Sequence, residues 1–254
     1  MERIRKPLQG VLNIVRFNWH LYAISGFIAI ALLVCGCFAG SMVQFYATVL
    51  ASLILGTTFV SLLVSCYIYD LSDLYKLSWL DFLKLSSGSQ IVNVHAGFDE
   101  TSALLCGKFS NTQITVLDFY DPKKHTEPSI KRARRAYAQF PGTQKVNTAA
   151  LQLNDKYAEV AFIILSAHEI RNPEERVSFF AEVSRILKPG GIIVVTEHLR
   201  DTANFLVYNI GCFHFHSRKS WLTTFRLAGL GVERTIRITP FITTFILKND
   251  GITS

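Results

Sequence analysis

From Leu21 to Tyr69 the chain runs 49 residues without an Asp, Glu, Lys or Arg. A bilayer core asks for about 20 apolar residues per helix. The run is therefore long enough for two spans, and Gly36-Cys37-Phe38-Ala39-Gly40-Ser41 near its middle is the natural turn. Asp70 to Leu85 then places Leu71, Leu74, Leu77, Leu80 and Leu83 three apart, with Asp and Lys between them. That spacing predicts an amphipathic helix lying along an interface or packed on a domain. Ser86-Ser87-Gly88-Ser89 reads as a short linker. Residues 1–85 are expected to form a membrane anchor with an amphipathic connector, and 86–254 a separate domain.

Beyond the linker, β-rich apolar runs alternate with helical ones. Strands are expected at Gln90–His95, Gln113–Phe119, Ala158–Leu165 and Ile192–Glu197. Helices are expected at Glu100–Lys108, Ser129–Gln139, Pro173–Leu187 and Ser217–Ala228, with a turn at Lys188-Pro189-Gly190-Gly191. Val232–Ile238 and Phe241–Lys248 should close the chain as an antiparallel pair. Strands alternating with helices imply an α/β fold with a mostly parallel sheet covered on both faces. Ligands of such sheets sit beyond the carboxyl ends of the strands, so the loops there are where function is sought.

Charge then orients the anchor. Arg3, Arg5, Lys6 and Arg16 flank the first span, with Glu2 alone opposing them. Excess Lys and Arg favours the cytoplasmic side, so an in–out–in hairpin is expected, with both termini and the C-terminal domain in the cytoplasm. A cleavable signal peptide is the main rival; its apolar core would be about 7–15 residues long and followed by a cleavage site. A helical hairpin buried inside a soluble protein fits less well, because both halves are apolar all round. Cys35, Cys37, Cys66, Cys106 and Cys212 show no metal-ligand spacing, and three of them lie in the apolar run. They read as small hydrophobes of a reducing compartment. Of the net charge of +7, six cations fall between Lys123 and Arg135: Lys123, Lys124, Lys131, Arg132, Arg134 and Arg135. Anionic headgroups suit such a cluster on a tethered protein, and so does a plain solvated helix face. No nucleic-acid motif accompanies the charge, so nucleic acid is not an expected partner.

From Gln90 onward the sequence resembles the class I S-adenosylmethionine-dependent methyltransferases, in the broad group that includes quinone-biosynthesis enzymes. The stretch AEVAFIILSAHEI, followed by PEERVSFFAEVSRILKPGGIIVVTEH, carries the likeness. It reproduces the family's strand ending in a small polar residue, its His-containing loop and helix, the LKPGG turn, and a strand ending in an acid. The resemblance implies a Rossmann-like domain, S-adenosyl-L-methionine as cofactor, and a cofactor site built from strand-end loops. In the first of these loops Asn93 stands where the family has an acid, and His95, Ala96 and Gly97 follow, Gly97 being the remaining glycine. Asp118 comes 25 residues after Asn93, about where the family's acid pairs with the ribose hydroxyls, and Phe119 follows it. Asp121 could take that role or cap a helix. Asn147 aligns with the residue that meets the adenine amino group, and Ser166 ends the next strand.

His168, just past that strand, is the candidate general base for a phenol or enol, with Glu169 to orient it. Helix capping or loop packing would explain the same residue. His214 and His216 alternate with Phe213 and Phe215, which puts both imidazoles on one face of an extended segment. With His198 they could form a metal site. No acid or Cys completes a familiar spacing, so no metal is expected, and a pocket lining for a flat apolar substrate fits better. The resemblance makes Arg200–Phe215 the substrate-side insertion. The leading expectation is a membrane-anchored methyltransferase acting on a lipophilic small molecule, such as a quinone precursor, aryl polyene, carotenoid or lipid. The alternatives are a non-catalytic methyltransferase-like interaction module at the membrane, or an enzyme using this fold for other chemistry.

Overall fold

The computed structural model describes residues 5–125 and 127–249; Glu2 and Arg3 of the basic flank lie outside them. The chain forms two compact units, one ending at Leu71 and the other beginning at Ser72.

The first unit is a helical hairpin of α1 (Gln9–Cys37) and α2 (Ser41–Cys66), the latter prolonged by a π-helical turn, Tyr67–Leu71. By length and composition each helix is long and apolar enough to cross a membrane. The residues buried between them include Ala29, Gly36, Ala47 and Ala51, small side chains that let two backbones approach. A second link closes the open end of the hairpin. Asp70, after α2, accepts hydrogen bonds from the Gly10 and Val11 amides at 2.7 and 2.8 Å. These are first-turn N–H groups of α1, which the helix itself cannot satisfy.

The second unit is a seven-stranded sheet with helices on its faces. Its strands are β1 (Gln90–His95), β2 (Gln113–Asp118), β3 (Gln144–Lys145), β4 (Ala158–Ile164), β5 (Leu187–His198), β6 (Leu230–Thr239) and β7 (Ile242–Asn249). Their spatial order is β3-β2-β1-β4-β5-β7-β6. β3, β2, β1, β4 and β5 pair in parallel, and β7 runs antiparallel to both of its neighbours. Strands covered on both faces read as continuous apolar runs, which is how β1, β4 and β5 stand out in the sequence. Alternate residues separate cleanly. Ala161, Ile163, Ile193 and Val195 join one core with Phe179, Phe180, Trp221 and Phe225. Val160, Phe162, Ile164 and Val194 join a second core with Leu105, Leu77 and Leu80. The helices are α3 (Ser102–Lys108), α4 (Pro128–Ala136), α5 (Pro173–Arg185), α6 (Thr202–Tyr208) and α7 (Arg218–Leu227). α5 starts sharply: Asn172 accepts from the Glu175 amide at 3.0 Å, Pro173 fills the first turn, and Glu174 and Glu175 face its dipole.

Two expectations are corrected. Residues 70–85 form no amphipathic helix; past the π-turn they run through turns and one 3₁₀ turn, Ser78–Leu80. The three-residue spacing instead leaves Leu74, Leu77 and Leu80 fully buried. Leu77 and Leu80 complete the second core, so burial against the sheet decides their conformation over helix propensity. The connector is thus part of the α/β unit. Lys188–Gly191 also departs from the expected separate turn, continuing β5 through a bulge opposite Ala158 and Val160. There a Cβ on Gly191 would sit 2.9 Å from the Lys188 carbonyl and 3.0 Å from that of Glu159.

Candidate functional site

β1, β2 and β4 end side by side, and their last residues build the first cluster. Asn93 is buried in β1 and donates to Thr101 Oγ1 at 3.0 Å and Ser102 Oγ at 2.8 Å, tying the loop to the start of α3. The loop then turns back: His95 Nδ1 accepts from the Gly97 amide at 3.0 Å, and Gly97 has φ +94°. Ala96 is buried in the first core. Asp118, at the end of β2, is 1 % exposed. Its Oδ1 accepts from the Tyr120 amide at 2.9 Å, and its Oδ2 from Arg134 at 2.6 Å and Gln139 at 2.9 Å. The Arg134 guanidinium also lies 4.3 Å from the Tyr120 ring centre and donates to the Gly97 carbonyl at 3.2 Å. Ser166, at the end of β4, donates to the Val94 carbonyl at 2.9 Å, stitching β4 to β1.

Two cavities flank this cluster. One, of about 280 Å³, is lined by His95, Gly97, Phe98, Asp99, Arg134 and Tyr137, among others. The other, of about 670 Å³, is lined by Phe119, Tyr120, His125 and Asn147, among others. Asn147 is exposed there and turns its Oδ1 to the Ala149 amide at 2.6 Å. Asp121 accepts from the Lys123 amide at 2.9 Å and so caps a local turn. The structure therefore groups Asn93, His95, Ala96, Gly97 and Asp118, sets Phe119 and Asn147 on the neighbouring cavity, and keeps Ser166 inside the strand ends.

The fit of a polar cofactor is tested by the buried polar atoms at the first loop. Asn93 Oδ1, His95 Nε2 and Asp99 Oδ2 are buried with no hydrogen-bond partner among the described residues. Buried polar atoms are ordinarily paired, so this loop carries unused donors and acceptors, two of the three on residues lining the smaller cavity. Burial pushes the His95 pKa down, against the pull of Asp99 and Asp118. The ring is held neutral, with one nitrogen still to be satisfied. A polar cofactor fits such a loop.

A second cluster lies beyond β4 and β5. His168 and Glu169 occupy the 3₁₀ turn Ala167–Glu169 after β4. Glu197, near the end of β5 and fully buried, brings Oε2 to 2.7 Å from His168 Nδ1 and accepts from the Ser166 and His168 amides with Oε1. His168 Nε2 faces Glu169 at 3.5 Å. Burial pushes the His168 ring toward neutrality, but Glu197 and Glu169 outweigh it and raise its pKa to about 10. Glu169 is also buried, yet His168 and His214 hold its carboxyl well below the usual range. His214 Nε2 lies 3.6 Å from Glu169, and His214 Nδ1 lies 2.5 Å from Glu127.

The histidine trio of the sequence reading does not assemble. His198 pairs with Asn204 at 3.0 Å and stacks on Phe215, while His216 Nε2 lies 3.0 Å from Arg176. From the sequence alone, Glu197, Glu127 and Arg134 carry no assignment to the cofactor or catalytic site. The acid ending β5 was visible, but its aim at His168 depends on strand register. Arg134 was one cation in a charged run until folding set it against Asp118.

Residues 97–195 match the family model described as a methyltransferase domain. No curated protein matches the sequence. Among solved structures, an S-adenosylmethionine-dependent methyltransferase from Aquifex aeolicus aligns at 15 % identity with a TM-score of 0.50, over 75 % of this chain and 97 % of its own. A Pyrococcus horikoshii protein aligns at 13 % identity with a TM-score of 0.51, over 70 % of this chain and 88 % of its own. Strand order, family-model match and these likenesses together give the α/β unit the fold of a class I methyltransferase domain.

Proposed function

We propose that this protein is a membrane-anchored, S-adenosylmethionine-dependent methyltransferase that acts on a lipophilic small molecule. The observation that carries the reading is the joining, in one chain, of a methyltransferase-type domain with two helices long and apolar enough to span a bilayer. An apolar acceptor concentrates in the bilayer, and an anchor keeps the domain beside it. Two further features support this reading. The segment after β5 exposes Phe205, Leu206, Ile210 and Phe213, an apolar patch of the kind that marks interaction sites. The basic α4 region suits anionic headgroups. The cytoplasmic placement of both termini follows from the basic flank and belongs to the same proposal.

S-adenosylmethionine, when bound, supplies an electrophilic methyl group. The Asp118 carboxylate would accept from its ribose diol, the Asn93–Gly97 loop would supply polar partners beside it, Phe119 and Asn147 would line the neighbouring cavity, and Ser166 would act from inside by tying β4 to β1. On the acceptor side, His168, positioned by Glu197, is the group that meets the acceptor's reacting oxygen. Orientation of this kind supplies much of the catalysis in a displacement reaction.

Calorimetric titration of the detergent-purified chain with S-adenosylmethionine and with its demethylated product tests the reading. Micromolar binding, weakened in Asp118→Ala and kept in His168→Ala, is the expected result. A folded protein that binds neither ligand would instead favour a non-catalytic interaction module.

A further inference from the structure

Two imidazoles and one carboxylate converge at the end of the sheet in an arrangement that the cofactor site does not use. We propose that His168, Glu169 and His214 form a binding site for a divalent transition-metal ion of the zinc type, with His168 Nε2, His214 Nε2 and a Glu169 carboxylate oxygen as ligands. The inference stands on the geometry of these side chains and does not rest on the transferase reading; with the ion bound, His168 would meet an acceptor oxygen through the metal and not directly.

Three observations support it. The ligand atoms all lie within 4.8 Å of one another. The separations from Glu169 Oε1 to the two Nε2 atoms are 3.5 and 3.6 Å, long for hydrogen bonds. They match the edge of a tetrahedron around an ion with bonds of about 2.1 Å, which is about 3.4 Å. Each imidazole also has its own carboxylate at Nδ1, Glu197 at 2.7 Å from His168 and Glu127 at 2.5 Å from His214, where Arg171 also makes contact. A ring that donates from Nδ1 turns its Nε2 lone pair to the metal, and this is the outer-shell arrangement that metal-binding histidines use.

Charge and ligand chemistry point the same way. Glu127, Glu169 and Glu197 set three carboxylates around two imidazoles, and imidazole suits zinc and its first-row neighbours better than magnesium or calcium. Three protein ligands leave a position open for water or for a substrate oxygen. The competing cation is Arg171, whose guanidinium contacts the His214 carbonyl and both ring nitrogens, Nδ1 and, at 2.9 Å, Nε2, and lies 3.2 Å from Glu127. Metal binding requires it to leave both ring nitrogens of His214, freeing Nε2 for the ion and Nδ1 for Glu127. Its 42 % exposed side chain is free to turn to solvent.

The test uses the full chain without an affinity tag, stripped by chelator and titrated with Zn²⁺ in the absence of S-adenosylmethionine. One equivalent is expected to bind and to survive gel filtration. Affinity should fall at least tenfold in Glu169→Gln and in His214→Ala and should rise in Arg171→Ala. Co²⁺ as a spectroscopic probe should give the intense visible bands of a low-coordinate ion in the unaltered protein, which keeps the test independent of how the variants fold. Absence of zinc binding in the folded protein overturns the proposal. So does undiminished binding in both ligand variants, or a cobalt spectrum no different from that of the aqueous ion. None of these results bears on whether the chain binds S-adenosylmethionine.

Discussion

Arg134 Nη1 lies 2.6 Å from Asp118 Oδ2, so the carboxylate proposed to receive the ribose already holds an internal cation. The ribose hydroxyls must exchange with that guanidinium, and the cofactor's own sulfonium gains nothing from a second positive charge nearby. Arg134→Ala should therefore tighten S-adenosylmethionine binding by about 1 kcal/mol, the scale of one net hydrogen bond. Asp118→Ala should weaken it by about 1–3 kcal/mol. Calorimetry on the two variants separates the effects, and equal affinities in both would remove Asp118 from the site.

Gly97 is the residue of the first loop least able to change. Its φ of +94° disfavours any side chain, and a Cβ would approach the Tyr120 Cβ at 2.9 Å as well as the Arg134 side chain. Gly97→Ala should cost about 1–3 kcal/mol of stability through backbone strain. It should also reduce cofactor affinity, because the loop closes against Asp118 and Arg134. A variant with unchanged thermal midpoint and unchanged affinity would show that the loop relaxes freely.

The parallel strands were legible because burial on both faces makes them continuous apolar runs: Gln90–His95 lies where it was expected, and β4 starts at Ala158 as expected and ends one residue early, at Ile164. Helix α5 was legible from Asn172-Pro173 and its apolar spacing. The edge strand Gln144–Lys145 and helix α6 carry too few residues to show a period. The 70–85 segment failed for a different reason: leucines three apart serve a helix or a set of turns equally, and only the sheet above them decides. At the site, residue types at strand ends were readable one at a time. The pairings Glu197 with His168, and Arg134 with Asp118, join residues far apart in sequence, and no local pattern encodes them.

Leu80 tests where the α/β unit begins. It is fully buried with Leu77 against Ile91, Leu105 and Phe162 in the second core. Leu80→Ala should lower the stability of the unit by about 2–5 kcal/mol, as truncations of buried leucine do. Exposed Leu71 belongs to the hairpin unit, and Leu71→Ala should leave the unfolding midpoint of the α/β unit unchanged. Denaturation followed by near-ultraviolet circular dichroism in detergent distinguishes them. Equal, small effects would mean that the segment only rests on the domain.

His198 sets a pH limit on the fold. It is 2 % exposed, pairs with Asn204, and lies between Tyr208 and Phe215. Burial, reinforced by the nearby His168, lowers its pKa from 6.5 to about 4, against the pull of its Asn204 hydrogen bond. The unfolded chain therefore takes up a proton at this position before the folded one does. The stability it contributes is fully present above pH 6.5 and is lost as pH falls toward 4. The whole change is worth about 3 kcal/mol. His198→Gln, which keeps a donor for Asn204 but cannot titrate, should flatten the decline of the thermal midpoint across that window. If wild type and variant decline in parallel between pH 6.5 and 4, the acid sensitivity of the domain arises elsewhere.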